Sequence, residues 1–168
     1  MAKAVTKEFE LYAEFATTTT PTNTVLALSD YVDIADNEAF KMLDWEIGLS
    51  PTADWPENST PADGVEANFQ LADTNIGDFV SHADRTSIGI NRQTFNVEPF
   101  AHTLEHDLSS GTDNAPTLIV SKNLWLRAAL LTSGSPNTDF YIRIRGKIVR
   151  PTKADFMALI LTQTGSVA

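Results

Sequence analysis

An all-β fold is what this sequence predicts: an antiparallel β-sandwich with one short helix near its C-terminal end. Three observations carry the expectation. Asp139 to Arg150 (DFYIRIRGKIVR) alternates almost without a break, with Phe140, Ile142, Ile144, Gly146 and Ile148 on one side and Tyr141, Arg143, Arg145 and Lys147 on the other. A period of two over that length is a strand with one buried and one polar face. Lys7 to Phe15 repeats the pattern, Phe9, Leu11, Ala13 and Phe15 alternating with Glu8, Glu10, Tyr12 and Glu14. Between these two runs lie short apolar stretches and turn-rich loops, without the regular helices that a parallel sheet requires.

The elements follow in chain order. Thr17–Thr20 and Pro21 end the first strand, because proline cannot continue a ladder. A second strand is expected over Thr24–Leu28, and Ser29–Asn37, with Asp30, Asp33 and Asp36, reads as an irregular segment. In Phe40–Leu49 the alternation of Leu43, Trp45, Ile47 and Leu49 favours a strand over a helix, and Gly48 with Pro51 closes it. Ser50–Gly64 (SPTADWPENSTPADG) has three prolines and no period. It is a long loop, and loops of that length commonly serve contact; Trp55 is its aromatic residue. Glu66–Ala72 alternates again. Phe79–Ile90 and Gln93–Val97 are expected as two strands broken near Asn91, and Glu98–Asp107 as a helical turn after Pro99. Ser109–Pro116 is a second polar loop, and Thr117–Ser121 a short buried strand.

Asn123–Thr132 has helical propensity, but the turn sequence Ser133–Thr138 leads straight into the basic strand, so a strand pairing with it as a hairpin is expected. Thr152 is placed to cap a helix over Lys153–Thr162, with Asp155 three residues on and Phe156, Leu159 and Ile160 as its apolar face. Eight or nine strands in one domain spanning residues 1–168 fit an eight-stranded jelly roll best, with an immunoglobulin-like sandwich second.

Composition bounds the function. The 168 residues are 42% apolar and include no cysteine. That is enough chain for a core without disulfides, and it excludes a thiol nucleophile or thiolate metal site. No signal-peptide run opens the sequence, and the apolar stretch Phe156–Leu161 is too short to cross a bilayer. The net charge is −10, unevenly placed: 20 acidic against 5 basic residues give −15 up to Asp113, and 2 against 7 give +5 beyond it. Arg143, Arg145 and Lys147, with Arg127, Arg150 and Lys153 expected nearby, form a basic stripe on an acidic protein. It reads as a solvated sheet face, as an electrostatic contact with another subunit, or as a surface for nucleic acid or lipid head groups.

Three chemical patterns weigh against that background. His102-Thr103-Leu104-Glu105-His106 matches H-x-x-E-H, in which two histidines on a helix hold zinc and the glutamate activates water. The segment has room for barely two turns, and His82 alone remains as a third histidine, so a zinc site on His102 and His106 is a remote reading. Asp30, Asp33, Asp36, Asp44 and Glu46 supply calcium-type oxygens without the loop pattern of such sites. No G-x-S-x-G elbow or glycine-rich phosphate loop occurs, and Asn58-Ser59-Thr60 is a chance glycosylation match.

With about eight alternating strands from KEFELYAEF to DFYIRIRGKIVR, long Thr/Pro/Asp loops and no catalytic constellation, the chain resembles the single jelly-roll capsid proteins of icosahedral viruses, especially membrane-containing viruses of archaea and bacteria. The resemblance covers most of the chain, contains no diagnostic motif, and lacks the basic N-terminal arm of capsids that package RNA. It implies a non-enzymatic, self-assembling shell subunit in a virion, without cofactor or small-molecule substrate. Its partners would be copies of itself and other capsid proteins, with nucleic acid or membrane lipid as lesser contacts. Trp55, Arg143, Arg145, Lys147 and Arg150 are the expected contact residues. The alternative from another class is a carbohydrate-binding sandwich using Trp45, Trp55 or Trp125 as a platform.

Overall fold

A computed structural model of the protein describes residues 3–50, 65–81, 84, 86–95, 102–105, 118–131 and 138–163. Ten strands are found there: β1 (Lys3–Ala4), β2 (Phe9–Thr17), β3 (Thr22–Ala27), β4 (Ala39–Leu49), β5 (Val65–Ala72), β6 (Ser87–Phe95), β7 (His102–Glu105), β8 (Leu118–Ile119), β9 (Asn123–Leu130) and β10 (Thr138–Arg150). A 3₁₀ turn spans Ile34–Asp36, and helix α1 covers Lys153–Gln163.

The strands form two five-stranded sheets. In sheet A, β10 is central; β1 and β2 pair with successive parts of one of its edges, and β4 then β8 follow on the other. Sheet B has the order β3-β9-β5-β6-β7. Every pairing is antiparallel. Opposing β2-β10-β4-β8 to β3-β9-β5-β6, each sheet alternating early and late strands of the chain, is the double-sheet arrangement of a jelly roll.

Alternation places the core. On β10, Phe140, Ile142, Ile144 and Ile148 are buried, and from sheet B Phe69, Leu71, Leu124 and Leu126 meet them fully covered. Phe15 and Phe140 from sheet A and Phe69 from sheet B make an aromatic cluster across the sandwich, the Phe69 and Phe140 centroids 4.9 Å apart at 66°. Edge-to-face contacts of this kind contribute roughly 0.5–1.5 kcal/mol beyond burial. Gly146 faces inward too, because a Cβ there would collide with the Phe40 ring and sit 2.7 Å from the Lys41 carbonyl. The β10–β4 register shifts between Arg145 and Gly146: Asp44 lies opposite Arg145 and Met42 opposite Gly146, leaving Leu43 as the extra residue of a bulge. The bulge resets the pleat, so Phe40 and Met42 before it and Ile47 after it all reach the core.

The strand reading of Phe40–Leu49 and the C-terminal helix hold. Asp155 donates its N–H to Thr152 Oγ1 at 3.2 Å, and that hydroxyl donates back to Asp155 Oδ2 at 2.7 Å. Phe156 is buried with Ala39, Val120 and Val149, and Leu159 and Ile160 pack beside them.

Four expectations are corrected. The hairpin between Asn123–Thr132 and β10 does not form: β9 pairs with β3 and β5 in sheet B, while β10 lies in sheet A. A turn sequence acts locally, whereas the choice of pairing partner is a non-local matter, and here β9 and β10 belong to opposing sheets. The break near Asn91 is absent; Ser87–Phe95 runs as one strand, with Asn91 opposite Phe69 and buried in the ladder. Phe79 and Val80 lie outside that strand. The helical turn within Glu98–Asp107 is replaced over His102–Glu105 by a strand paired with β6, so His102 and Glu105 do not lie on the helix that the zinc reading with His106 demands. Trp55, His82, His106 and most of the Ser50–Gly64 and Ser109–Pro116 loops lie outside the described residues.

Candidate functional site

The outward face of sheet A is built by three strands. Pairing sets Glu14 and Gly48 on either side of Tyr141, Tyr12 and Glu46 on either side of Arg143, and Glu10 and Asp44 on either side of Arg145. Arg143 and Arg145 therefore each have an acidic residue directly across a ladder, whereas Lys147 stands opposite Lys41 and Arg150 opposite Lys3. Arg143 pairs with Glu46 at 2.6 Å, Arg145 with Asp44, and Lys147 with Glu8 at 3.7 Å. At the end of the strand Arg150 holds both Asp36, at 3.0 Å, and Glu38, at 2.9 Å. The expected contact residues Arg143, Arg145, Lys147 and Arg150 thus share one strand, but their charge is balanced within the chain. Arg127 is elsewhere, on the outer face of sheet B, and Lys153 begins α1.

Two tyrosines form the apolar part of this face. Tyr12 and Tyr141 stack with centroids 5.9 Å apart and rings 20° from parallel. The Tyr141 ring covers Gly48, where a Cβ would come within 2.7 Å of it, and its hydroxyl donates to Glu46 at 3.3 Å. Tyr12 donates to Glu14 at 2.6 Å and is 56% exposed. That hydrogen bond holds the Tyr12 phenol above the ordinary tyrosine range. Burial first, and then the Glu46 charge, raises Tyr141 in the same direction. Beside them is an open depression of about 260 Å³ lined by Glu10, Asp44, Trp45, Glu46, Arg143 and Arg145.

The acidic residues weighed for calcium are divided among other tasks. Asp33 Oδ1 accepts the Ala35 N–H at 2.9 Å and caps the 3₁₀ turn, Asp36 goes to Arg150, and Asp44 and Glu46 go to Arg145 and Arg143. Among the described residues no three histidines, cysteines or carboxylates gather as metal ligands. No described helix is long and apolar enough to cross a membrane.

Of the tryptophans, Trp45 is half-buried at the margin of the core, its ring over Gly89 of β6. Trp125 is half-buried on β9 at a position alternate to the core residues Leu124 and Leu126, so it belongs to the outer face rather than the core.

A second polar cluster escaped the sequence reading. Residues 73–81 pass over the outer face of sheet B and are fastened there by buried side chains. Gln70, fully buried, donates Nε2 to the Val80 carbonyl at 2.9 Å and to Ser87 Oγ at 3.0 Å, and accepts the Val80 N–H at 2.9 Å. Arg127, 8% exposed, donates to Asn23 Oδ1 at 3.1 Å and the Ile76 carbonyl at 3.4 Å, with its guanidinium 5.5 Å from the Phe79 ring centroid. Asn23 donates to Asn75 Oδ1 at 2.7 Å and the Ile76 carbonyl at 3.0 Å. The available signal was the pair Phe79-Val80, apolar but flanked by Asp78 and Ser81, which fits a strap lying on a sheet as well as it fits a strand.

The fold and faces define an antiparallel jelly-roll sandwich with charge-paired strands on one side. No known family model matches this sequence, and no curated protein does. Among solved structures, a chain of Desmodium yellow mottle tymovirus is similar over 86% of this chain and 88% of its own, with 10% identity and a TM-score of 0.34. A likeness at that level adds nothing to what the strand order establishes.

Proposed function

We propose that this chain is a structural subunit that assembles with copies of itself, as the shell protein of a virion does. The observation carrying the reading is a jelly roll whose interior, among the described residues, is filled by large apolar side chains. Phe40, Phe69, Phe140, Leu126 and Ile144 are fully buried between the sheets, where jelly-roll proteins that bind ligands internally need space. The chemistry on offer is at the surface, and jelly rolls of that kind recur as viral shell domains. Paired cations on β10 favour contact with protein over nucleic acid or lipid, since a phosphate would have to displace a carboxylate already in place. Neighbouring subunits, rather than a substrate, are the partners this surface fits.

Light scattering after size exclusion, over a range of protein and salt concentrations, tests the proposal together with electron micrographs of the product. Closed particles or discrete oligomers are expected. A monomer at every concentration, with no particle in the micrographs, would sink it.

One observation favours a second reading. Tyr12 and Tyr141 stack on an open face beside Glu14 and Glu46, and an aromatic surface with hydrogen-bonding carboxylates at its edge suits a sugar ring. In a glycan-array screen the Tyr12→Ala protein should then lose whatever binding the unaltered protein has; a blank array discards the reading.

A further inference from the structure

A strand at the edge of a sheet leaves a row of N–H and C=O groups open to pairing, and proteins blunt such edges by shortness, charge, proline or a bulge. The edges here are not protected alike. β8 is two residues long. β2 is nine residues long but carries Glu10 and Glu14. β7 has four residues and ends in Glu105. β3 (Thr22–Ala27) has none of these devices: it pairs with β9 in an unbroken six-residue register along one side, with no charge and no internal proline. Val25, 45% exposed, and Ala27, also exposed, stand along it. The uncharged stretch is longer than the strand, running fifteen residues from Phe15 to Ser29.

We propose that β3 is the edge at which a second copy of this chain adds, β3 against β3 across a two-fold axis, so that two five-stranded sheets become one continuous sheet. Antiparallel edge pairing is self-complementary: a two-fold axis through the middle of the strand gives both copies the same bonds. Charge selects the occupant. With −10 on each copy, two chains repel over most of their surfaces, and an uncharged edge lets them approach without setting like charges opposite one another. A basic foreign partner would gain more from the acidic faces than from this edge. The inference rests on the proposed self-assembly and names where it starts.

Sedimentation of the full chain, compared with Val25→Lys and Ala27→Lys, tests it. These charges sit at exposed positions, so circular dichroism should report an unchanged fold while self-association weakens at least tenfold. Hydrogen exchange supplies an independent readout: amides of Thr22–Ala27 should slow at least tenfold on association of the unaltered protein. If the protein associates but both variants associate equally well and β3 exchange does not change, the edge is wrong and assembly stands. A protein that stays monomeric, with β3 exchange independent of concentration, overturns the edge and the assembly reading together.

Discussion

The two outer faces of the sandwich begin from the same sequence pattern and end in opposite physical states. On sheet A the polar positions of β10 are left in water, where Arg145 and Asp44 have side chains 50% and 53% exposed. On sheet B the corresponding positions of β5 and β9, Gln70 and Arg127, are roofed by residues 73–81 and nearly sealed from solvent. Alternation says which residues face away from the core. It does not say whether another part of the chain will cover them, and covering changes what each polar group contributes. Exposed ion pairs are screened and loosely held, whereas a buried amide or guanidinium that loses its partners bears the full desolvation penalty.

Ordered by expected effect, the following changes divide the two faces. Gln70→Ala should be the most damaging, by on the order of 2 kcal/mol, because it strands both the N–H and the carbonyl of half-buried Val80. The denaturant midpoint should fall and the amides of residues 73–81 should lose exchange protection; a loss below about 1 kcal/mol would mean that water already serves this site. Arg127→Met follows, at about 1–3 kcal/mol, since it keeps the bulk over Phe79 but leaves Asn23 and the Ile76 carbonyl short of a donor. On sheet A, Arg145→Ala should leave the denaturant midpoint nearly unchanged, and added salt should shrink even that small shift. A change on sheet A as large as the one at Gln70 would erase the contrast.

The smallest effect is one of pH, confined to sheet A. Tyr12 and Tyr141 both titrate above the ordinary tyrosine value of 10.0 in the folded protein. Raised values mean that folding favours the protonated phenols. Their contribution is complete below about pH 10 and fades as pH climbs through the raised values. Tyrosinate absorbance should therefore include a late-titrating component that moves down toward the ordinary value on unfolding, and Tyr12→Phe should remove part of it.

The sequence made sheet A easy to read and sheet B hard, for a physical reason. Strands such as β2 and β10 have solvent on one face, so hydrophobicity switches at every residue and names both face and element. On β9 Arg127 and Ala129 are buried along with Leu126 and Leu130, and the alternation that would locate the strand in its sheet is lost. Which strand pairs with which is a non-local matter; the turn sequence before β10 suggested a hairpin because turn chemistry is local. Cations of β10 were legible one by one, but their neutralisation by Glu8, Asp44 and Glu46 depended on registers that no spacing in the chain reveals. His102 to Glu105 shows the same limit: a five-letter motif presumes a helix, and the ladder with β6 made a strand of its first four residues.

The void that Gly146 leaves for Phe40 ties two distant positions into one unit of inheritance. A methyl group at 146 has nowhere to go while the ring is present, and shrinking the ring alone leaves a cavity. Gly146→Ala and Phe40→Leu should each be harmful alone and cost less together than the sum of the two, because the smaller side chain clears part of the methyl group's space while the Lys41 carbonyl 2.7 Å away stays in place. Once both are in place, undoing one alone restores the fault its partner had eased, so the two positions change and persist together.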